Sequence, residues 1–226
     1  MAKLYFYYSA MNAGKSTTLL QSSYNYQERG MQTLLFVPAI DDRYGEGKIT
    51  SRIGLTREAV PFGPGLDFFA HVSGALERDP GIRCVLIDEA QFHKKAHVEQ
   101  LKRITVELRI PVIAYGLRTD FMGEPFEGSK YLMAWAEDLV EIKTICHCGK
   151  KATMTLRVDP KGRVLRSGEQ VQIGGNESYV SVCYEHFLKG QPRPLPQERA
   201  VTTGSPSPEG GSPPSPKGAG VPAAVN

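Results

Sequence analysis

Short apolar runs alternate along the chain with longer stretches of helical periodicity. Five runs have the length and composition of buried strands, and they cover residues 3–8, 33–37, 84–87, 111–115 and 139–145. Residues 15–29, 66–78 and 129–135 have the pattern of helices, and Val98, Leu101, Ile104 and Leu108 recur at helical spacing. Strands that alternate with helices predict an α/β fold: a parallel sheet with helices on both faces, joined by right-handed crossovers.

Two polar stretches interrupt this pattern. Residues 39–54 are polar and punctuated by glycine, so they predict a loop. Residues 191–226 contain nine of the sixteen prolines and no aromatic residue. Such a segment cannot bury enough apolar surface to offset its ordering entropy. We therefore expect a disordered C-terminal tail, with a Pro-rich ligand for a partner protein as the alternative.

Composition limits the expected partners and location. The formal net charge of +3 is mild and does not favour a nucleic-acid or membrane surface. No apolar run approaches the roughly 20 residues that span a bilayer, and the start of the chain does not have the pattern of a signal peptide. We expect a cytoplasmic protein that binds neither nucleic acid nor membrane. Its four cysteines then indicate metal ligands or core thiols before disulfides.

Residues 9–17, SAMNAGKST, nearly match the phosphate-binding loop G-x-x-x-x-G-K-[ST], with Ser9 in place of the first glycine. The loop stands between a predicted strand and a predicted helix, as such a loop requires. The N–H groups of residues 12–16 and the helix dipole then face a phosphate. Lys15 reaches the β- and γ-phosphates, and Ser16 ligates Mg²⁺. A small residue fits at position 9 if its φ is negative. The alternative interpretation is a chance glycine turn.

Residues 84–92, CVLIDEAQF, predict an apolar strand that ends in an acidic pair. In phosphate-loop proteins an Asp at this point helps to hold Mg²⁺, which assigns that role to Asp88. Glu89 can then take a proton from an attacking oxygen. That oxygen belongs to water in an ATPase or motor and to a substrate hydroxyl in a small-molecule kinase, and the residues leave both open. Cys84 lies inside the strand and is expected to fill the core.

Cys146 and Cys148 are followed 35 residues later by Cys183 and His186. Two pairs of soft ligands separated in this way predict a tetrahedral structural Zn²⁺ site. The first pair is C-x-C, which is tighter than the usual C-x-x-C, so unrelated thiols are the alternative. His147 is expected to point away as a bystander, although it can replace a cysteine. The Gly174-Gly175 pair between the two ligand pairs allows the backbone to approach a ligand closely, as in a lid.

Together these motifs resemble the cytosolic thymidine kinases of bacteria and animal cytosol, and most closely the bacterial members. The resemblance covers residues 1–188 and rests on YYSAMNAGKST, DEAQF, YGLRTDF, IGGNESYVSVC and the two metal-ligand pairs. It implies a RecA-like phosphate-loop core and a small zinc-ribbon-like domain. The implied reaction, in DNA-precursor salvage, moves the γ-phosphoryl of ATP to the 5′-hydroxyl of thymidine or deoxyuridine. Mg²⁺ with ATP, a structural Zn²⁺ and a homotetramer are also implied. The expected divisions are a kinase domain at 1–145, a zinc-binding lid domain at 146–190 and the tail at 191–226.

The resemblance also assigns residues around the phosphates. It places the general base at Glu89 and Mg²⁺ near Ser16, Asp88 and Asp41, with Arg43 on the same loop as Asp41. It places the contacts with ATP at Ser9, Ala10, Met11, Asn12, Ala13, Gly14, Lys15, Ser16, Asp88, Glu89, Ala90 and Gln91.

The nucleoside pocket is implied in the same way. The backbone of residues 171–179 is expected to hold the thymine, while apolar side chains sort its 5-methyl group. The pocket residues are expected at Met11, Phe92, Leu117, Phe121, Phe126, Thr155, Val171, Ile173, Gly174, Gly175 and Tyr179. On residue chemistry alone the three phenylalanines are expected in the core rather than in a pocket, and Tyr179 has the pattern of a surface aromatic on a strand.

The sequence leaves open a second metal site and two other classes of function. His93 and His97 have a spacing that can bind a metal, but at a polar helix start we expect them to be solvated, as we do Lys94 and Lys95. A phosphate-loop ATPase coupled to a motor is the second function class. A zinc ribbon that binds nucleic acid is the third, and it requires clustered basic and aromatic residues.

Overall fold

Six parallel strands form the central sheet of the protein. The computed structural model describes residues 1–41, 47–170 and 179–193. The strands of the sheet are β1 (Leu4–Ser9), β2 (Gln32–Pro38), β5 (Val60–Phe62), β6 (Ile82–Ile87), β7 (Val112–Leu117) and β8 (Asp138–Glu141). Outside the sheet lie the short strands β3 (Lys48–Thr50), β4 (Thr56–Glu58), β9 (Thr144–Ile145), β10 (Lys151–Ala152), β11 (Met154–Val158), β12 (Val164–Leu165) and β13 (Tyr179–Val182).

Five helices accompany these strands in the described ranges. They are α1 (Lys15–Gln27), α2 (Phe68–Arg78), α3 (Lys95–Arg103), α4 (Glu127–Trp135) and α5 (Tyr184–Lys189). A 3₁₀ turn at Ala90–Phe92 follows β6, and a π-helical turn at Ile104–Leu108 extends α3. None of these helices has both the length and the apolar surface needed to cross a membrane.

The order of strands across the sheet is β5-β2-β6-β7-β1-β8, and all neighbours are parallel. This confirms the predicted parallel sheet. β7 separates β1 from β6, so the segments that follow β1 and β6 lie on either side of one strand at the carboxyl edge of the sheet. In open parallel sheets, ligands bind at this edge.

Alternate residues of each strand point to opposite faces of the sheet. Phe6, Phe36 and Val85 belong to the apolar core on one face, which α2, α3 and α4 cover. Leu35 and Leu86 belong to the core on the other face, together with Leu19 and Leu20 of α1. The helices therefore lie on both faces, as the sequence predicts, and both cores hold the strand ends in place.

Two predictions of local structure are wrong. Residues 39–54 are not loop throughout, because β3 pairs with β4 in an antiparallel hairpin. Only Ile49 of its first strand is buried, so the hydrophobic signal is weak. The predicted last strand at 139–145 is two strands: β8 joins the central sheet, whereas β9 pairs with β10. A single apolar run does not reveal which partner each half takes.

β11, β12 and β13 form a separate three-stranded antiparallel sheet. Together with the β9–β10 hairpin and α5, this sheet has its own apolar cluster, which consists of Cys146, Ala152, Met154, Leu156, Val182, Cys183 and Phe187. The cluster lies within the predicted lid domain at 146–190, although the boundary at residue 145 stays a prediction. Most of the predicted disordered tail, residues 194–226, lies outside the described residues.

His93 and His97 are buried, so the expectation that they are solvated is wrong. The His93 ring packs between Phe62 and Phe68, with ring centroids 4.7 Å and 5.0 Å away. His97 Nε2 lies 3.1 Å from the carbonyl oxygen of Pro64. Neither ring nitrogen of His93 has a hydrogen-bond partner in the described part of the chain. Burial, and to a smaller extent the charge of the neighbouring His97, lower the pKa of His93 to about 3. Lys94 and Lys95 are exposed, as expected.

We predict that His93 makes the protein less stable as the pH falls below about 6.5. The unfolded chain binds a proton at the usual histidine pKa of about 6.5, whereas the folded chain does not until about pH 3. The unfolding free energy of the parent should therefore fall, relative to His93→Phe, by up to about 1.4 kcal/mol per pH unit between pH 6 and pH 4. Denaturant unfolding at a series of pH values measures this difference. Parallel profiles for the two proteins would contradict it.

The start of α4 lies against the 3₁₀ turn that follows β6. A Cβ at Gly128 would be 2.6 Å from the carbonyl oxygen of Ala90 and 2.9 Å from those of Gln91 and His93. These neighbours are backbone atoms, which cannot move aside as a side chain can. Gly128 therefore permits the close approach that fixes the position of the turn.

Gly128→Ala should destabilise the protein by about 1–3 kcal/mol, the usual effect of overpacking. Gly65→Ala is the matched control, because a Cβ there meets no atom within 4 Å. Its effect should be close to zero or slightly stabilising. Chemical denaturation of the two variants and the parent compares the three proteins. Equal stability of the two variants would show that the turn yields to the added methyl group.

Candidate active site and metal site

The phosphate loop lies between β1 and α1, as predicted. Asn12 and Gly14 have φ values of 61° and 85°, in the left-handed region. Gly14 is the N-cap of α1 and offers no side chain to the first N–H groups of the helix. Those groups are available to an anion at the helix N-terminus. Ser9 lies in β1 with extended backbone, so this position does not require glycine.

Ser16 and Asp88 join the phosphate loop to the end of β6. Ser16 Oγ donates a hydrogen bond of 2.7 Å to Asp88 Oδ2. Asp88 and Lys15 are both buried. Burial and then the charge of Glu89 raise the pKa of Asp88, against the hydrogen bond from Ser16 and the charge of Lys15. A hydroxyl and a carboxylate are hard oxygen ligands of the kind that Mg²⁺ prefers, and a bound cation favours the ionised carboxylate.

Glu89 follows in a left-handed backbone conformation, with φ 46° and ψ 44°. Its carboxylate accepts a hydrogen bond of 2.7 Å from Gln91 Nε2. The buried Gln91 amide in turn accepts 3.0 Å from the backbone N–H of Leu117. A Cβ at Gly116 would lie 3.1 Å from both the backbone nitrogen and Oε1 of Gln91. Gln91, which the family resemblance placed among the ATP contacts, thus links the Glu89 carboxylate to the backbone of β7 by hydrogen bonds.

The phosphate loop and Glu89 share one cleft of about 260 Å³. Its walls combine groups that can receive phosphates with apolar side chains. The lining consists of residues 11–17, of Thr50, Arg52 and Ile53, and of Glu89 and Leu117. The sequence-predicted loop residues from Met11 to Ser16 therefore face the same space as the predicted base.

Arg52 is a residue of this cleft that the sequence interpretation missed. The β3–β4 hairpin carries it there, and its guanidinium donates a hydrogen bond to Asn12 Oδ1. It adds a positive charge to a cleft that already contains Lys15. The one signal in the sequence is weak: the short triplets KIT and TRE, which contain Ile and Thr, stand on either side of a turn with Gly54. Asp41 follows β2 at the same edge of the sheet, and Arg43 lies outside the described residues.

Two of the residues predicted for the nucleoside pocket line this cleft, and a third contacts one of them. Met11 and Leu117 line it. The N–H of Met11 donates a hydrogen bond of 3.3 Å to Thr155 Oγ1. Phe92 and Phe126 pack edge to face, with centroids 6.2 Å apart.

The remaining predicted pocket residues are only partly described. Phe121 is buried, with the guanidinium of Arg157 5.2 Å from its ring centroid. Tyr179 is half-buried and pairs with Arg157 across β11 and β13. Four further residues lie outside the described ranges: Val171, Ile173, Gly174 and Gly175. The pocket as a whole stays a prediction.

The Cys/His cluster fits a tetrahedral metal. One ligand atom from each of Cys146, Cys148, Cys183 and His186 lies within 4.8 Å of the others. The Cys148 and Cys183 sulfurs are 3.9 Å apart, and His186 Nδ1 is 3.3 Å and 3.4 Å from the sulfurs of Cys146 and Cys183. Zn²⁺ with bonds of about 2.3 Å to sulfur and about 2.0 Å to nitrogen requires separations of about 3.8 Å and 3.5 Å. The cluster can therefore hold Zn²⁺.

Local structure explains how the ligands converge. The turn between β9 and β10 is closed by a hydrogen bond of 2.8 Å from the Cys146 N–H to the Lys150 carbonyl, with Gly149 at φ 83°. Cys183 is the N-cap of α5, and the i, i+3 spacing returns His186 to the same side of the helix. His147 does not point away as expected: its ring lies against that of His186, with centroids 4.2 Å apart and the ring planes tilted by 30°.

The loop after β1 ends in the glycine cap of α1 and meets the buried carboxylate of Asp88 at the carboxyl edge of the parallel sheet. This arrangement defines a protein of the phosphate-loop class. Comparison with known proteins then gives the family. The family model for thymidine kinases matches residues 2–187. The chain belongs to the thymidine kinase family, whose members are nucleoside kinases.

The relatives cover most of the chain. The chain is 62% identical to the thymidine kinase of Coxiella burnetii over 192 residues, which is 85% of this chain and 98% of the relative. It is 60% identical to that of Pasteurella multocida over 187 residues, 83% of this chain and 97% of the relative. For Legionella pneumophila the identity is 59% over 191 residues, 84% and 91% of the two chains. These findings confirm the resemblance to the bacterial members.

We predict that the purified protein contains about one zinc per chain, as expected for a single closed site. Cys183→Ser should lose the metal and lower the melting temperature. Cys84→Ala is the matched control, because Cys84 lies in β6 of the central sheet and is buried in its core, away from the Cys/His cluster. It should keep its zinc even if it is less stable. Elemental analysis of the three proteins measures the metal content, and full zinc occupancy in Cys183→Ser would refute the assignment.

Proposed function

We propose that the protein transfers the γ-phosphoryl group of ATP to the 5′-hydroxyl of thymidine, and of deoxyuridine, to give the monophosphate and ADP. The observation that carries the proposal is the shared cleft, in which the phosphate loop and a carboxylate held by Gln91 face one another. The family of the chain supports thymidine as the acceptor.

Each residue is assigned a role in the reaction from its position in the cleft. The loop N–H groups and Lys15 bind the β- and γ-phosphates, and Ser16 and Asp88 hold Mg²⁺, which offsets the phosphate charge. Glu89 receives the proton of the attacking 5′-hydroxyl. Arg52 adds positive charge at the cleft wall. Because the transition state of phosphoryl transfer is loose, positioning and charge stabilisation carry most of the catalysis.

The base and sugar are assigned to the apolar side of the cleft. Met11 and Leu117 line this side, and Thr155 contacts Met11. The buried Phe121 and Phe126 are proposed to extend it. The backbone of residues 171–179 is proposed to pair with the thymine edge and to exclude water, which separates a kinase from an ATPase. We further propose a structural Zn²⁺ in the Cys/His cluster, which the positions of its ligand atoms support. The mild net charge supports a cytoplasmic protein without a nucleic-acid partner, and the family resemblance supports a homotetramer.

ADP release from Mg·ATP tests the proposal, measured alone, with thymidine, with deoxyuridine and with single-stranded DNA. Turnover should depend on a nucleoside and not respond to DNA. Turnover without an acceptor would instead indicate an ATPase, and stimulation by DNA would indicate a nucleic-acid-dependent enzyme.

Glu89→Gln should lower kcat by roughly 10²–10⁴, the usual contribution of a positioned base. Glutamine keeps an acceptor oxygen for Gln91 but has no useful basicity, so the affinities for Mg·ATP and thymidine should stay close to those of the parent. Lys15→Ala should weaken both ATP binding and rate.

The matched control is Glu99→Gln, on an exposed side chain of α3 that faces Lys95 at 3.6 Å. Its kinetics should be those of the parent, since surface ion pairs contribute little. Steady-state kinetics and equilibrium binding separate the two outcomes for Glu89→Gln. A kcat within about tenfold of the parent excludes Glu89 as the base, and a collapse of ATP binding assigns it to metal or fold.

A further inference from the structure

Two hydroxyl groups hold the first part of the phosphate loop from outside the central sheet. The N–H of Met11 donates a hydrogen bond of 3.3 Å to Thr155 Oγ1, and its carbonyl oxygen accepts one from Ser181 Oγ. Thr155 and Ser181 are direct partners in the register of β11 and β13. Both polar backbone groups of one residue are thus held by one cross-strand pair. We refer to Met11, Thr155 and Ser181 as the Met11 clamp.

The position of the clamp along the loop gives it a consequence for the nucleotide. Asn12 and Gly14, which follow at once, have the left-handed backbone that turns the loop N–H groups towards a phosphate. A loop that binds an anion through its backbone works best when its geometry is set before the anion arrives. The β1 strand fixes one end of the loop and α1 the other, and the clamp fixes Met11 between them.

The clamp also reaches the metal site. β13 ends at Val182, and the next residue is the ligand Cys183, two positions from Ser181. Val182 and Cys183 share one apolar cluster with Met154 and Leu156 of β11, on either side of Thr155. A metal that fixes Cys183 therefore also restricts the strand that carries Ser181.

We propose that Ser181 is a positioning residue for the nucleotide site: through the Met11 clamp it holds the phosphate loop in its binding geometry and couples the loop to the Cys/His site. The proposal rests on the proposed function only in taking ATP as the nucleotide. It assigns no contact between Ser181 and the substrate. Under this proposal the three-stranded sheet of β11, β12 and β13 contributes to ATP affinity as well as to the proposed nucleoside pocket.

Ser181→Ala tests the clamp, with Ser181→Thr as the variant that keeps the hydroxyl and Ser73→Ala in α2 as the matched control. Equilibrium binding of Mg·ATP is measured without thymidine, at a temperature at which circular dichroism shows every variant folded. Loss of one hydrogen bond should weaken ATP binding by about threefold to tenfold in Ser181→Ala. Ser181→Thr and Ser73→Ala should stay within about twofold of the parent. Unchanged affinity in Ser181→Ala, or an equal loss in Ser181→Thr, would overturn the clamp.

The coupling has a reciprocal test on the zinc-loaded protein. If the metal site favours ATP binding through Ser181, bound ATP must favour metal retention through the same contact. Saturating Mg·ATP should raise the equilibrium affinity for zinc, measured by competition with a chromogenic chelator, in the parent and in Ser73→Ala, and raise it much less in Ser181→Ala. An equal effect of Mg·ATP on the parent and Ser181→Ala, or no effect on either, would refute the coupling.

Neither measurement uses thymidine, so the two proposals can fail separately. A protein that binds ATP as described but does not phosphorylate thymidine would contradict the proposed function and leave the clamp standing. A thymidine kinase whose Ser181→Ala variant binds ATP normally would do the reverse.

Discussion

The hydrogen bond between Ser16 and Asp88 joins the two halves of the active site, and the surrounding structure is arranged so that it can form. It requires β1 and β6 to end at the same edge of the sheet with one strand between them, which the strand order provides. It also requires a carboxylate in a buried position, where its charge is unfavourable unless positive groups face it. Lys15 supplies one such group, and Mg²⁺ is proposed as the other. The backbone then turns sharply at Glu89, which directs the next carboxylate into the cleft.

The parts of the site that were predictable from sequence are those in which one short segment carries the chemistry. The phosphate loop, the acidic pair after β6 and each of the two Cys/His ligand pairs depend on local spacing, and the fold brings the two ligand pairs together. The central sheet was also predictable, because buried parallel strands give continuous apolar runs. The acceptor of the phosphoryl group was not predictable from these motifs, because kinases and ATPases bind phosphate in the same way. Only the family resemblance distinguishes a substrate hydroxyl from water.

The features that escaped prediction depend on contacts between distant segments. Arg52 reaches the cleft on a hairpin with almost no apolar signal. His93 and His97 have a polar sequence neighbourhood, yet α2 and β5 cover them. Gln91 supports Glu89 only because Gly116, 25 residues later, leaves room for its side chain. Residue type and spacing do not report such contacts, since each depends on how separate elements pack.

A metal in the Cys/His cluster would also reduce the conformational entropy of the unfolded chain. All four cysteines are free thiols, so no disulfide links the segments of this protein. A metal held by Cys148 and Cys183 closes a loop of about 35 residues, and the chain-entropy relation for a cross-link of that length gives about 4 kcal/mol at most. The stability increases because the cross-link lowers the conformational entropy of the unfolded state, whereas the native state is already ordered. A thiolate–metal link of this kind persists where disulfides are reduced. Most of the sequence assigned to thymine recognition therefore lies inside a tethered loop whose ends are already fixed.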